Sequence, residues 1–302
     1  SAINCVDACR KAVPVVKIER RFVRNVLRLQ NFQQSKDFHN SLAMGSCLCH
    51  LNNRLNAAGT LLPGGIRSCL RLDASPRPCS GHSFLSCMHH FHNALLAAPN
   101  VLEIDLNLEV IGEFHDLIQR PLSAETFHIA SPQWQSNIQW ISPNTLECFR
   151  FFYHRFLQLG VSDHVKPFLD LEQRCMMYSG FLVARSHCTQ ADFHLDWIDA
   201  NNEAFTLITP ITANCQGFGL LYQRSDGSVA EYDYKLGKAL VFGDSFLHAT
   251  KPGKSEEPVV LLSFTFGTDK MEHWPAIART AGSQGNLLRL PNGDFRVRDM
   301  EP

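Results

Sequence analysis

The sequence predicts an α+β protein with a double-stranded β-helix core, the jelly-roll or cupin-like barrel, and an N-terminal mixed helical extension. Three observations predict it. Eight short strand patterns follow one another from Met176 to Phe266, turn residues separate them, and helical spacing is concentrated earlier in the chain. The texture changes near residue 165. Residues 1–165 read as a mixed α/β extension packing on the core, and residues 166–302 as the jelly roll with a C-terminal tail.

Taken in order, residues 11–28 carry Lys11, Lys17, Arg20, Arg21, Arg24 and Arg28 against Glu19, with Val15, Ile18, Phe22 and Val26 at helical spacing. That pattern is a basic amphipathic helix, either a surface helix of the fold or the remnant of a targeting segment. Residues 47–92 concentrate Cys47, Cys49, His50, Cys69, Cys79, His82, Cys87, His89, His90 and His92. Their spacings match no zinc-finger pattern, so buried thiols and surface histidines are the default and structural zinc the alternative.

Leu102, Ile104, Leu106, Leu108 and Val110 alternate with polar residues, which predicts a half-buried strand. Asn144 to Glu147 predicts a capping box, opening a helix whose Phe149, Phe152, Phe156 and Leu159 pack on a sheet and which Gly160 stops. The eight strands are Met176 to Arg185, Phe193 to Trp197, Ala204 to Ile211, Phe218 to Gln223, Val229 to Tyr234, Ala239 to Phe242, Phe246 to Thr250 and Val259 to Phe266. Asp226-Gly227 turns the fourth into the fifth.

Composition limits the function classes. The chain has 302 residues, 45% of them hydrophobic, and a net charge of -1, so there is material for a core and no electrostatic motive for general nucleic-acid binding. No run of 18 apolar residues occurs, which removes a membrane-spanning helix. Charged residues make up 19% against about 25% in typical soluble domains, and with 21 Phe this points to an apolar pocket or a protein-partner surface. The 11 cysteines are too sparse for a disulfide scaffold, and Ser1 to Arg10 lacks the apolar stretch of a secretory leader. Reduced thiols and an intracellular location, cytoplasm or organelle, are expected.

The chemistry is read from the second and seventh strands. In His194-Leu195-Asp196 the alternation places both polar side chains on one face, roughly 7 Å apart along the strand. His248 supplies a third ligand from a distant strand. Two imidazoles and one carboxylate form the facial triad of non-haem Fe(II) oxygenases, which leaves positions open for co-substrate and O₂. Trp197, Phe193, Phe205 and Tyr222 nearby could stack a flat substrate or serve as core.

The segments Phe193 to Trp197, Gly237 to Phe242 and His248 to Gly253, over about residues 170–268, resemble the Fe(II)/2-oxoglutarate-dependent oxygenase superfamily, in its phytanoyl-CoA hydroxylase-like and prolyl hydroxylase-like branches. The resemblance implies Fe(II) on His194, Asp196 and His248, 2-oxoglutarate chelating the metal, O₂ at the remaining position, and oxidative decarboxylation driving hydrogen abstraction from a small-molecule substrate. Retention of Asp196 implies hydroxylation or desaturation over halogenation.

One departure stands out. The superfamily places an arginine about ten residues after the distal histidine for the far carboxylate of 2-oxoglutarate, whereas Ser255 to Ser263 holds no basic residue. Arg185, Lys254 and the Thr250 hydroxyl are the candidates to replace it. Two other readings stay open: a cupin-like iron oxygenase that does not use 2-oxoglutarate, and a non-catalytic jelly-roll binding or assembly subunit.

Overall fold

The computed structural model describes residues 91–130 and 138–297. In chain order they form β1 (His92–Asn93), β2 (Ala98–Pro99), β3 (Val101–Asp105), α1 (Leu108–Ile118), β4 (Phe127–Ala130), β5 (Ile138–Pro143), α2 (Leu146–Gln158) and α3 (Val161–Val165). There follow β6 (Met176–Cys188), β7 (Ala204–Pro210), β8 (Gly219–Gln223), β9 (Val229–Asp233), β10 (Lys238–Phe242), β11 (His248–Thr250), β12 (Gly253–Gly267), α4 (Trp274–Gln284), β13 (Leu287–Arg289) and β14 (Phe295–Val297). The predicted basic helix at 11–28, and the Cys/His cluster apart from His92, lie outside the described residues.

The large sheet has seven strands in the order β3-β10-β7-β12-β6-β5-β4, and the small one runs β11-β8-β9. A bridge between His194 and His248 extends the small sheet by one further segment. From β6 to β12 the chain visits large, small, large, small, small, large, small and large sheet in turn, which is the jelly-roll path. The predicted strand Phe193 to Trp197 is thus reduced to that bridge. His194 N–H donates to His248 O at 2.8 Å and His248 N–H to His194 O at 3.1 Å.

Strand alternation separates the two faces of the large sheet. Phe181, Val183, Leu240, Phe242, Val259 and Leu261 face inward, packing with Leu220, Tyr222 and Tyr232 of the small sheet. Their neighbours Leu182, Ala184, Leu207, Val241, Leu262 and Phe264 form a second core with α1 and α2. Strands β3, β4 and β5, which precede residue 165, belong to the same large sheet.

α2 lies on that outer face as its aromatic spacing predicts. Phe149, Phe152 and Phe156 are buried, and the Phe156 ring sits 5.4 Å from Phe264 and 5.1 Å from Phe266. Each buried ring contributes about 1.5–3 kcal/mol. The cap falls one residue later than expected. Thr145 Oγ1 accepts from Cys148 N–H at 3.2 Å, while Asn144 instead takes a 2.8 Å hydrogen bond from Asn286 Nδ2. Gly160 follows the helix at φ 65, the left-handed conformation that ends it.

The strand expected over 102–110 is corrected in its second half. β3 stops at Asp105, because Asn107 Oδ1 accepts from Glu109 N–H at 2.9 Å and caps α1. Val110, Ile111, Phe114 and Ile118 then bury at helical spacing. The four cysteines among the described residues, Cys148, Cys175, Cys188 and Cys215, are free and buried. No helix among the described residues is long and apolar enough to cross a membrane.

Candidate metal centre

The bridge that ends the small sheet brings together three side chains distant in sequence. The ligand atoms of His194, Asp196 and His248 all lie within 4.8 Å of one another. Asp196 Oδ1 stands 3.6 Å from His194 Nε2 and 3.9 Å from His248 Nε2. His248 is buried and the His194 side chain about half exposed, so one imidazole is set deep and the other at the rim.

The backbone fixes both imidazoles. His194 Nδ1 lies 2.8 Å from Asp192 O, and His248 Nδ1 lies 3.0 Å from Phe246 O. A carbonyl only accepts, so each Nδ1 carries a proton and each Nε2 faces Asp196. Burial lowers the pKa of His248, with His194 adding to the effect and Asp196 opposing it. A neutral imidazole is the ligand form. The Phe242 and Phe246 rings both pack against it, with centroids at 4.6 and 5.4 Å.

Asp196 is held at two levels. Its Oδ2 accepts from Thr206 Oγ1 at 3.0 Å, and its carbonyl accepts from the Thr280 hydroxyl on α4. The turn from Asp196 back to β7 uses Asp199, Asn201 and Asn202 at φ 60, 56 and 61. These are the side-chain types that best tolerate the left-handed region after glycine.

The three residues line a cavity of about 120 Å³, together with Arg185, Thr206, Thr250 and Tyr234 and an apolar wall that includes Trp140 and Phe181. Arg185 is buried and points inward from β6, with Nε and Nη1 lacking a hydrogen-bond partner. Burial pulls the pKa of its guanidinium below the ordinary value, while Tyr234 and Cys188 support the charge. Thr250, two residues beyond His248, also lines the cavity. Lys254 is exposed on β12 opposite His187, outside the lining.

Of the aromatics offered as a stacking platform, Trp197, Phe205 and Tyr222 are buried core residues and Phe193 is exposed. None of the four lines the cavity, and Trp140, Phe181, Tyr234 and Phe242 occupy that place. Thr206 escaped the sequence reading. It lies ten residues from Asp196 across an irregular turn, and no spacing rule links them.

No described protein family and no curated protein matches the sequence. Solved structures are similar to it in fold. HygX from Streptomyces hygroscopicus, with nickel, 2-oxoglutarate and hygromycin B bound, is 12% identical at a TM-score of 0.41, covering 56% of this chain and 83% of that one. A Pseudomonas putida prolyl-4-hydroxylase is 17% identical at 0.41, covering 56% and 92%. An oxidoreductase of the 2OG-Fe(II) oxygenase family from Burkholderia pseudomallei is 9% identical at 0.42, covering 56% and 84%. Proteins of the 2OG-Fe(II) oxygenase family are thus among the solved structures to which this chain is similar.

Proposed function

We propose that the protein is a non-haem Fe(II)- and 2-oxoglutarate-dependent dioxygenase that hydroxylates or desaturates a small to medium-sized organic substrate. The observation that carries this reading is one cavity shared by a two-histidine, one-carboxylate cluster and a buried guanidinium with unpaired N–H groups. The donor set fits the ion. Two neutral imidazole nitrogens and one carboxylate oxygen suit Fe(II) and leave it open positions. The guanidinium fits a carboxylate, because its buried Nε–H and Nη1–H lack acceptors and a buried charge without a counter-ion costs several kcal/mol.

Fe(II) held by His194, Asp196 and His248 would supply O₂ activation coupled to decarboxylation of 2-oxoglutarate to succinate and CO₂. The rest falls to the chain. The carbonyls of Asp192 and Phe246 hold the imidazole protons on Nδ1, which leaves Nε2 as the metal-binding nitrogen of each histidine. Arg185 offers Nε–H and Nη1–H to the far carboxylate of the co-substrate, and Thr250 adds a hydroxyl at the cavity wall. Ile138, Val183, Leu220 and Leu261 keep the lining apolar, which strengthens that charge pairing.

Anaerobic titration of Fe(II)-loaded protein with 2-oxoglutarate tests the reading. The expected result is a saturable visible charge-transfer band of the chelated 2-oxo acid, absent in His194→Ala. Bound iron without the band would replace this reading with an iron oxygenase independent of 2-oxoglutarate. Absence of bound iron would leave a non-catalytic jelly-roll subunit.

A further inference from the structure

The carboxylate of Asp196 has two oxygens in unlike surroundings. Oδ1 faces both imidazole Nε2 atoms, while Oδ2 is engaged by Thr206 Oγ1 at 3.0 Å. Thr206 in turn accepts from Trp197 Nε1 at 3.0 Å. An indole N–H only donates and an ionised carboxylate only accepts. The hydroxyl between them therefore has one permitted orientation, with its lone pair toward Trp197 and its proton toward Oδ2.

Nothing in this relay is free to reorient. Thr206 is buried on β7, paired with Phe242 on one side and Thr265 on the other. Trp197 is 1% exposed and packs with Tyr178, Trp274 and Ile277, so its N–H has no route to water. The Thr280 hydroxyl from α4 meanwhile holds the Asp196 carbonyl, fixing the main chain of the same residue.

We infer that Thr206, oriented by Trp197, is a positioning residue that restricts Asp196 to one ligand oxygen. This rests on the reading of His194, Asp196 and His248 as a metal site. Of the six positions of an octahedral ion, two imidazoles and one carboxylate oxygen take three. A carboxylate free to turn and chelate through both oxygens would take a fourth. The number of positions left for co-substrate and O₂ is thereby set on β7, by a residue that does not itself bind the ion. Outer partners of this kind orient the ligand and tune the site.

The test uses Mn(II) alone on the full chain and counts metal-bound water by proton relaxation, with no turnover involved. The wild type is expected to hold three waters. Thr206→Val, close in shape but without the hydroxyl, is expected to hold one fewer, and Thr206→Ser to restore the wild-type number. Trp197→Phe, which releases the hydroxyl from its donor, is expected to shift the number in the same direction as Thr206→Val. It serves as the second variant should Thr206→Val fail to fold. An unchanged water number in Thr206→Val, or in Trp197→Phe in its stead, would overturn the positioning role and leave the metal site standing. Failure of the wild type to bind Mn(II) would overturn the metal site and this role with it.

Discussion

Arg185 on β6 is the direct ladder partner of Val259 on β12. Val259 lies eleven residues after His248, within the Ser255 to Ser263 stretch that holds no basic residue, and it is buried in the inward-facing core. On the proposed reading, Arg185 takes the place of the arginine that the resemblance leads one to expect about ten residues after His248. Arg185→Met should weaken 2-oxoglutarate binding to Fe(II)-loaded protein by roughly 2–5 kcal/mol, the loss for a buried charge partner. Without co-substrate the sign reverses. Removing a buried guanidinium whose Nε–H and Nη1–H lack acceptors should leave the melting temperature unchanged or raise it, and calorimetry with and without 2-oxoglutarate reads both effects.

Lys254 and Thr250 should behave differently from Arg185 and from each other. Lys254 is exposed outside the cavity, so Lys254→Ala should leave 2-oxoglutarate affinity within about 0.5 kcal/mol of wild type. Thr250→Val removes a hydroxyl at the wall and should cost about 1 kcal/mol of that affinity. Isothermal titration of the two variants separates these outcomes.

His194→Ala and His248→Ala should each abolish Fe(II) binding, measured as iron retained after desalting. The two differ in stability. His194 is half exposed, so its loss should change unfolding free energy by under about 0.5 kcal/mol. His248 is buried against both Phe242 and Phe246, and its loss should cost about 1–3 kcal/mol in denaturant melts without metal. Full iron occupancy in either variant would remove that residue from the site.

Glu203 gives the fold a pH dependence of its own. Burial pushes its carboxyl up to about 7 from an ordinary 4.5, against the hydrogen bond it accepts from Asp170 N–H at 2.9 Å. Between those values the folded state holds a proton that the unfolded chain has released. Stability therefore falls as pH rises from about 4.5 to about 7, and the loss is complete above that range. Glu203→Gln, which keeps an acceptor for Asp170, should remove a slope worth on the order of 1–3 kcal/mol. Urea melts of both proteins at pH 5 and pH 8 give the difference directly.

Phe152 joins α2 to the outer face of the large sheet, with its ring 5.1 Å from Phe114 and 6.3 Å from Phe264. Phe152→Ala should cost about 3–5 kcal/mol of stability. Because this face of the sheet points away from His194, Asp196 and His248, Fe(II) affinity of the folded fraction should be unchanged. A matched denaturant melt and metal titration check the two halves.

Much of this was legible because strand periodicity is two. The residues Phe181, Val183 and Arg185 face one way and Leu182 and Ala184 the other, so the buried strands and the His194–Asp196 pair could be read from alternation. The segment after Asp105 was not, since Leu106 to Val110 satisfies both periods until Asn107 closes its side chain on Glu109. Burial of Trp197 and Tyr222 was equally hidden, because an aromatic on a strand reads the same in a core and at a cavity wall. Thr206 and the position of Arg185 opposite Val259 depend on pairing register, which a single sequence does not carry.

β6 and β12, the first and last strands of the barrel, lie side by side at the centre of the large sheet, with β12 also pairing β7. During synthesis on the ribosome, β6 and β7 therefore wait for a partner that emerges about 40 or more residues later. Until Gly267 has left the exit tunnel, the middle of the sheet is a slot flanked by two unpaired edges rich in Val, Leu and Phe, open to any extended segment that meets it. Truncation of the chain before Gly253 should therefore yield inclusion bodies rather than a smaller soluble protein.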